Sequence, residues 1–374
     1  MKLAFCLYKY SPFGGLQRDF MRIATECKNR GHKISVFTMQ WEGDIPAEFE
    51  INLIKPKGVQ NHSRAKDFAR QVQPQLKGFD LVMGFNKMPG LDIYYAADTC
   101  FQSKSREKRG IIYRMMPRYK NFVDLEEKVF KKALDTKILL LSEKQRVDFK
   151  KYYFTEDERF CLLPPGIDKN RINVDDPLAV RKNIRKEFNI KNSEYLLLHV
   201  GSGFKTKGLD RSLKAIAALP LKYKNKLKFF VIGKDKSKSF KDLAKKLKII
   251  DNIEFLGGRL DAEKFMYAAD LLIHPAYFEN TGTVLLEALV AGLPVLTTDV
   301  CGYANYIDES KSGVSLKSPF CQKDFNELLE ISLNEDTRAI WQENALEYTK
   351  DANIYGMVNY AVDLIEKTYE KKLS

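Results

Sequence analysis

Two rhythms of apolar residues alternate along the chain. Near-continuous apolar runs at 2–8, 33–39, 51–54, 80–85, 94–97 and 137–141 predict strands covered on both faces, as in a parallel sheet. Between them the apolar residues recur three and four apart. Leu16, Phe20, Ile23, Ala24 and Cys27 follow that spacing up to Gly31, and similar stretches predict helices near 63–77, 121–134 and 143–153. The run Phe160-Cys161-Leu162-Leu163 then meets the stiff turn Pro164-Pro165-Gly166 and a polar stretch at 168–176, which predicts a domain boundary. The same grammar restarts with strands at 195–200, 227–232, 253–256, 270–274 and 294–298, helices at 209–219 and 261–268, and a helical tail over 336–372. The pattern predicts an α/β chain with domains at 1–165 and 166–350 and a helix at 351–374 that packs back on the first domain.

The richest stretch is 275–299, PAYFENTGTVLLEALVAGLPVLTTD, set between two of the predicted strands. Leu285, Leu286, Leu289 and Val290 give its helix an apolar face, and Thr281-Gly282-Thr283 supply amides and hydroxyls at the first turn. Glu279 falls in the strand-to-helix loop and Glu287 eight residues later. Two carboxylates so spaced can face one ligand above the carboxyl ends of the strands, beside a helix N-terminus that favours an anion. That combination suits a sugar nucleotide. The competing reading is plainer: a Glu at a helix start complements the dipole, and one two turns on faces solvent.

A second anion site is predicted where the strand 195–200 runs into Gly201-Ser202-Gly203-Phe204-Lys205-Thr206-Lys207-Gly208. Amides there, with Lys205 or Lys207, can meet a diphosphate, although the loop is not of the G-x-x-x-x-G-K-[ST] type. Gly14-Gly15 stands at the first strand-to-helix junction with Asp19 on the next turn; tight turns use such pairs for positive φ with no ligand nearby. His199 reads as a core or strand-end residue. The four His form no H-x-x-x-H pair, so no metal site is expected. Six Cys without C-x-x-C spacing read as reduced core residues of a cytosolic protein. No run of about 18 apolar residues is present to span a bilayer, and the first residues do not read as a signal peptide.

Charge changes the picture in one place. Of the chain's formal +13, residues 1–164 supply +10, with 30 Lys and Arg against 20 Asp and Glu. Within them 104–120 holds seven basic residues and one Glu. A localised patch implies an anionic partner at one surface. In KSREKRGIIYRMMPRYKNFV, at 104–123, Ile111, Met115, Tyr119 and Val123 recur every four residues with Ile112 and Met116 alongside. Arg106, Arg109, Arg114, Arg118 and Lys120 flank them. The stretch predicts one basic amphipathic helix kinked at Pro117, either docking on an anionic membrane or packing its apolar face into the core. Nucleic acid is the remaining alternative for a chain of pI about 9.2, but RNA-binding motifs are missing and the charge is confined, so it is not expected.

F-G-G-L-Q-R-D-F, R-G-H-K-I-S-V-F, P-P-G-I-D, V-G-S-G-F-K-T-K-G and E-N-T-G-T-V-L-L-E-A-L-V-A-G-L-P-V-L together resemble the retaining glycosyltransferases of family 4, of GT-B fold. L-Y-K-Y-S-P-F-G-G-L-Q-R-D-F, G-F-N-K-M-P-G-L-D and V-C-G-Y-A are similar to the lipopolysaccharide core heptosyl glucosyltransferases within that family, over essentially the whole chain. The resemblance implies two facing Rossmann-like domains and transfer of glucose from UDP-glucose to a heptose of the lipopolysaccharide inner core. A different hexosyl transfer and a sugar-nucleotide epimerase are the alternatives on the same fold. It implies no metal or other cofactor, and a cytoplasmic protein peripheral on the inner membrane. By the same resemblance Glu279 holds the hexose, Glu287 the ribose and Lys207 the diphosphate, with Gly201, Thr281, Gly282 and Thr283 around them and uracil on the backbone near Arg259. Gly14-Gly15 admit the diphosphate, Asp19 lies near the sugar, and Asp98 stands where many relatives carry His. Thr206 replaces an Arg common in relatives, which shifts phosphate neutralisation toward Lys205.

Overall fold

The computed structural model describes every residue except Phe13, Lys169, Asn170, Arg171, Asn173 and Ser374, and the backbone alone of Glu107 and Lys108. Phe13 of the expected first turn and four residues of the expected 168–176 boundary stretch therefore lie outside the described residues. The chain divides into two compact units, one of residues 1–166 with 355–374 and the other of residues 167–354.

The first unit is built on seven parallel strands: β1 (Lys2–Cys6), β2 (Lys33–Thr38), β3 (Phe49–Leu53), β4 (Leu81–Gly84), β5 (Ile93–Ala96), β6 (Lys137–Leu140) and β7 (Phe160–Leu162). They lie in the order β3-β2-β1-β4-β5-β6-β7. Register runs Leu3 to Ile34 on one side of β1 and Leu3 to Leu81 on the other. Central strands buried on both faces explain why the sequence shows runs rather than alternation. One face packs on α1 (Gly15–Asn29) through Phe20, Ile23, Ala24 and Cys27, and the other on α2 (Asn61–Val72) through Ala65, Phe68 and Val72. The terminal helix Met357–Leu373 belongs to this unit. Its Met357, Ala361, Val362 and Ile365 join the α1 side of the core, and Arg30 Nη1 donates to Asp363 (2.6 Å) and Glu366 (3.0 Å).

The expected helix over 104–123 is instead part of three: α3 (Phe101–Lys108), α4 (Ile111–Met115) and α5 (Pro117–Phe130). Gly110 is extended (φ −65°, ψ 171°) and so is Met116 (φ −73°, ψ 144°). Pro117 crowds the residue before it out of the helical region and becomes the first residue of a new helix rather than a kink within one. Tyr119 is buried, whereas Ile111, Ile112, Met115 and Met116 are exposed.

The second unit carries six parallel strands: β8 (Tyr195–Val200), β9 (Leu227–Ile232), β10 (Ile253–Gly257), β11 (Leu271–His274), β12 (Val295–Thr298) and β13 (Gly313–Leu316). Their order is β10-β9-β8-β11-β12-β13. In each sheet the strand order reverses beside the first strand, between β1 and β4 and between β8 and β11. Loops from the two strands there splay apart at their carboxyl ends and leave a place for a ligand.

Candidate active site

The loop 201–208 after β8 and the loop 275–282 after β11 lie side by side because β8 and β11 pair in the sheet. Tyr277 N donates to Thr206 O (2.8 Å), and a Cβ on Gly208 would collide with the Pro275 carbonyl. Gly208 also has φ +75°, so this approach admits glycine alone. The 275–282 loop is pinned on its far side by Tyr303 N donating to Thr281 O (2.7 Å) and by a bridge of Glu279 to Cys301.

Between the loops the Lys207 ammonium closes on the Glu279 carboxylate. Their side chains are 22% and 13% exposed, so both charges have lost most of their water while still facing outward. Burial pulls the Lys207 ammonium down, and a carboxylate in contact with an ammonium opposes such a shift. Behind Glu279, at the end of β11, His274 is fully buried with its Nε2 3.6 Å from the carboxylate. His199, at the end of β8, stacks on it at 5.8 Å between ring centroids and 17° between planes. Burial holds both imidazoles neutral, His199 near 4 and His274 well below its ordinary value. His199 Nδ1 bonds the Ile273 carbonyl (3.2 Å), so it is the core residue the sequence indicated. His274 carried no sequence signal; only the strand neighbourhood reveals it.

The remaining expected residues of this unit surround the pair. Gly201 has φ +138°. Lys205 is exposed on the same loop. Gly282, with φ +84°, caps the helix that Thr283 opens, while Thr281 precedes the cap and Glu287 lies half-buried one turn in. Arg259 follows β10, two strands from β8. It donates to Asp261 through Nε (2.8 Å) and Nη2 (2.9 Å) and stacks over Phe265.

In the first unit Gly14 caps α1 with φ −89° and Gly15 opens it. Neither takes positive φ, and a Cβ on Gly15 would touch nothing. Backbone strain therefore does not call for the pair, and what it leaves is room above the helix. Asp19, one turn on, accepts from Tyr95 Oη (2.7 Å). Burial pushes its carboxyl up to about 6 against that hydrogen bond and the nearby Arg22 and Arg18. Asp98 is exposed in the loop after β5. It borders a cavity of about 480 Å³ and an adjoining one of about 580 Å³, which share Tyr8, Asn86, Asp98 and Phe122.

Two residues the sequence left unmarked hold this wall. Glu126 on α5 is fully buried and accepts from Lys87 Nζ (2.5 Å), Tyr153 Oη (2.5 Å) and the amides of Phe101 (2.8 Å) and Gln102 (3.0 Å). It thus caps the N-terminus of α3 and neutralises Lys87, which in turn donates to Thr99 O (3.0 Å) beside Asp98. The five expected patch residues are not equivalent. Arg109, over Tyr113, and Arg118, over Phe122, line the cavity of about 480 Å³ with Lys104; Arg106 lies over Tyr152; Arg114 is half-buried and Lys120 exposed.

Residues 180–348 match the family model described as "Glycosyl transferases group 1". The chain is 46% identical over 368 residues to the lipopolysaccharide glucosyltransferase WaaG of Escherichia coli (strain K12), covering 98% of each. It is 28% identical to a D-inositol 3-phosphate glycosyltransferase of Segniliparus rotundus over 45% of this chain and 38% of that one. Among solved structures it is similar to the crystal structure of WaaG, a glycosyltransferase involved in lipopolysaccharide biosynthesis. The TM-score is 0.91, over 97% of this chain and 99% of that one at 46% identity. The fold also matches Anabaena Alr3699/HepE in complex with UDP and glucose, at TM-score 0.75 and 16% identity over 98% and 100% of the two chains.

Proposed function

The chain belongs to the group 1 glycosyltransferases, in one family with the lipopolysaccharide glucosyltransferase WaaG, and from that premise we propose the reaction it carries out. Glucose is moved from UDP-glucose to a heptose hydroxyl of the lipopolysaccharide inner core, with retention at the anomeric carbon. The bond from that carbon to the β-phosphate oxygen breaks, the acceptor oxygen bonds to the carbon on the same face, and the acceptor's proton passes to the departing diphosphate.

The observation that supports this most is the Lys207–Glu279 pair at the reversal of the second sheet. A cation and a carboxylate, both largely dehydrated and both facing outward, match a ligand with an anionic part and a hydroxylated part. Lys207 meets the charge that grows on the departing diphosphate, together with the amides of 201–203 and 281–283; placed in advance, these groups stabilise the transition state without reorganising. Glu279 accepts from hexose hydroxyls and Glu287 from the ribose. The first unit takes the acceptor along the two cavities that meet at Asp98, with Asp19 near the transferred sugar. The residues around the diphosphate supply its positive charge, so the reading calls for no metal.

The reading also places the protein on the inner face of the membrane without crossing it. Among the described residues no helix is long and apolar enough to span a bilayer. Ile111, Ile112, Met115 and Met116, exposed by 72%, 80%, 72% and 49%, instead favour shallow insertion of α4 beside Arg114 and Lys120. The test of the reaction is product mass from UDP-glucose, UDP-galactose and UDP-GlcNAc on a heptose-terminated inner-core acceptor. A single added glucose is expected, and preference for another donor sinks the assignment. A thermal shift with UDP but not with RNA separates it from nucleic-acid binding.

A further inference from the structure

The cavity of about 480 Å³ that borders Asp98 has an uneven charge. Lys87, the one largely buried cation among the described residues of its lining, is neutralised by Glu126. Arg109 and Arg118 have no carboxylate partner among the described residues, and Lys104 stands on the same lining. Among the described residues Asp98 is the single carboxylate that lines the space. Each guanidinium sits over an aromatic ring, Arg109 4.1 Å from the Tyr113 ring centroid and Arg118 5.6 Å from that of Phe122. A cation–π contact of this kind uses the face of the guanidinium and leaves its N–H groups to bond elsewhere, and the guanidinium fork matches the paired oxygens of a carboxylate or phosphate. The apolar lining from Phe101, Phe122 and Leu125 suits the face of a sugar ring, and the volume is that of a small-molecule site.

We propose that this cavity is an anion subsite for the acceptor: Arg109 and Arg118, with Lys104, bind a carboxylate or phosphate carried by a sugar that neighbours the reacting one. The inference rests on the reading of the first unit as the acceptor side, and it deepens it. The reacting hydroxyl belongs near Asp98, where the two cavities meet, and the anionic substituent lies one ring further into the basic lobe. The support is preorganised, because Glu126 ties α3, α5 and the Lys87 loop into one block beneath the cations. The subsite also separates two roles within one basic segment. Arg109 and Arg118 select the acceptor, while the exposed apolar residues of α4 meet the lipid surface.

The test uses the full chain and deacylated, water-soluble inner-core oligosaccharide, with no lipid or detergent, so that membrane docking contributes nothing. Binding is measured by calorimetry for the native oligosaccharide, its dephosphorylated form, its carboxyl-reduced form and the form with both changes. Wild-type protein is expected to bind the native form at least tenfold more tightly than the doubly neutralised one, and the single modifications tell which anion is read. Arg118→Gln is expected to cost about tenfold for the native form and nothing for the neutral one, with Arg118→Lys between them and UDP affinity unchanged. Equal binding of acidic and neutral forms by the wild type, no binding of either, or equal loss of both in Arg118→Gln each overturns the subsite. The wild-type comparison decides even if a variant is unstable. Failure to transfer glucose, with the binding pattern intact, strikes the proposed reaction and leaves the subsite standing.

Discussion

His274 Nε2 stands 3.6 Å from the same Glu279 carboxylate oxygen, Oε2, that Lys207 contacts, and neither His274 ring nitrogen has a hydrogen-bond partner among the described residues. A buried polar group left unpaired costs about 1–3 kcal/mol, so this imidazole is poised to donate as soon as Glu279 is free to accept. Lys207 cannot serve both the diphosphate and Glu279. When it turns to the leaving group, a neutral His274 can keep the carboxylate aimed at the hexose. His274→Leu is therefore expected to lower kcat about tenfold with UDP affinity unchanged, and His274→Asn, which keeps a donor, to recover most of the rate. Equal losses in the two variants would reduce His274 to a packing residue.

Lys207 and Glu279 should separate by what they bind. Lys207→Ala and Glu279→Ala are each expected to cost about 10² or more in rate. UDP affinity should fall clearly in the first and little in the second, because one side chain faces the nucleotide's charge and the other the sugar. The same loss of UDP affinity in both contradicts the assignment.

Much of this site could be read from the chain alone, and the reason is geometric. Strand, loop and helix are contiguous in sequence around Glu279 and around Lys207, so each motif carried its own signature. Their pairing was not legible, since it depends on β8 lying next to β11, 71 residues apart from Val200 to Leu271 by numbering. His274 looked like one more strand residue for the same reason. Glu126 was hidden in an ordinary charged helix, because nothing local distinguishes a buried Glu with several donors from a solvated one. The segment 104–123 misled in another way: its four-residue apolar spacing starts just after Gly110 and persists through Pro117, but the backbone is extended at Gly110 and before Pro117, which divides the helix, and the apolar positions divide between core and surface.

Asp19 predicts a pH dependence whose sign can be worked out. Its folded value of about 6 lies above that of an exposed carboxyl, with burial as the main cause. Between those values the native state binds more protons than the unfolded one, so stability from this group falls as pH rises toward 6. Activity should move oppositely, since Asp19 accepts sugar hydroxyls most strongly as a carboxylate. A limb of kcat/KM rising through about pH 6 is expected, and Asp19→Asn should abolish that limb while flattening the stability change. An unaltered limb in Asp19→Asn would assign it to another group.

Glu126→Ala leaves Lys87 largely buried without its counter-charge and strips the cap from α3. A loss of about 3–5 kcal/mol is expected in urea melts, the scale for removing one partner of a buried pair. Removing both, in Lys87→Met with Glu126→Leu, should recover a good part of that stability. A cost under about 1 kcal/mol for Glu126→Ala would mean that water reaches the site.

For the membrane, the protein is expected to sediment with anionic but not zwitterionic vesicles, less so as salt increases. Ile112→Ser with Met115→Ser should release it, and Arg114→Gln with Lys120→Gln should weaken it, with UDP binding intact in each case. Binding indifferent to lipid charge, salt and all four substitutions removes α4 from the membrane.

The terminal helix has a consequence for how the protein is made. Met357, Ala361, Val362 and Ile365 complete a core whose other members lie in the first 163 residues. A ribosome therefore delivers the whole second unit before it delivers the piece that closes the first. Throughout that interval the α1 side of the nascent first unit shows an apolar groove to the cell, along with Arg30 awaiting its two carboxylates. The second unit, continuous from 167 to 354, has no such wait and can fold as it emerges. Order of synthesis and order of completion are thus reversed, and it is the older half of the chain that has the greater need of a chaperone.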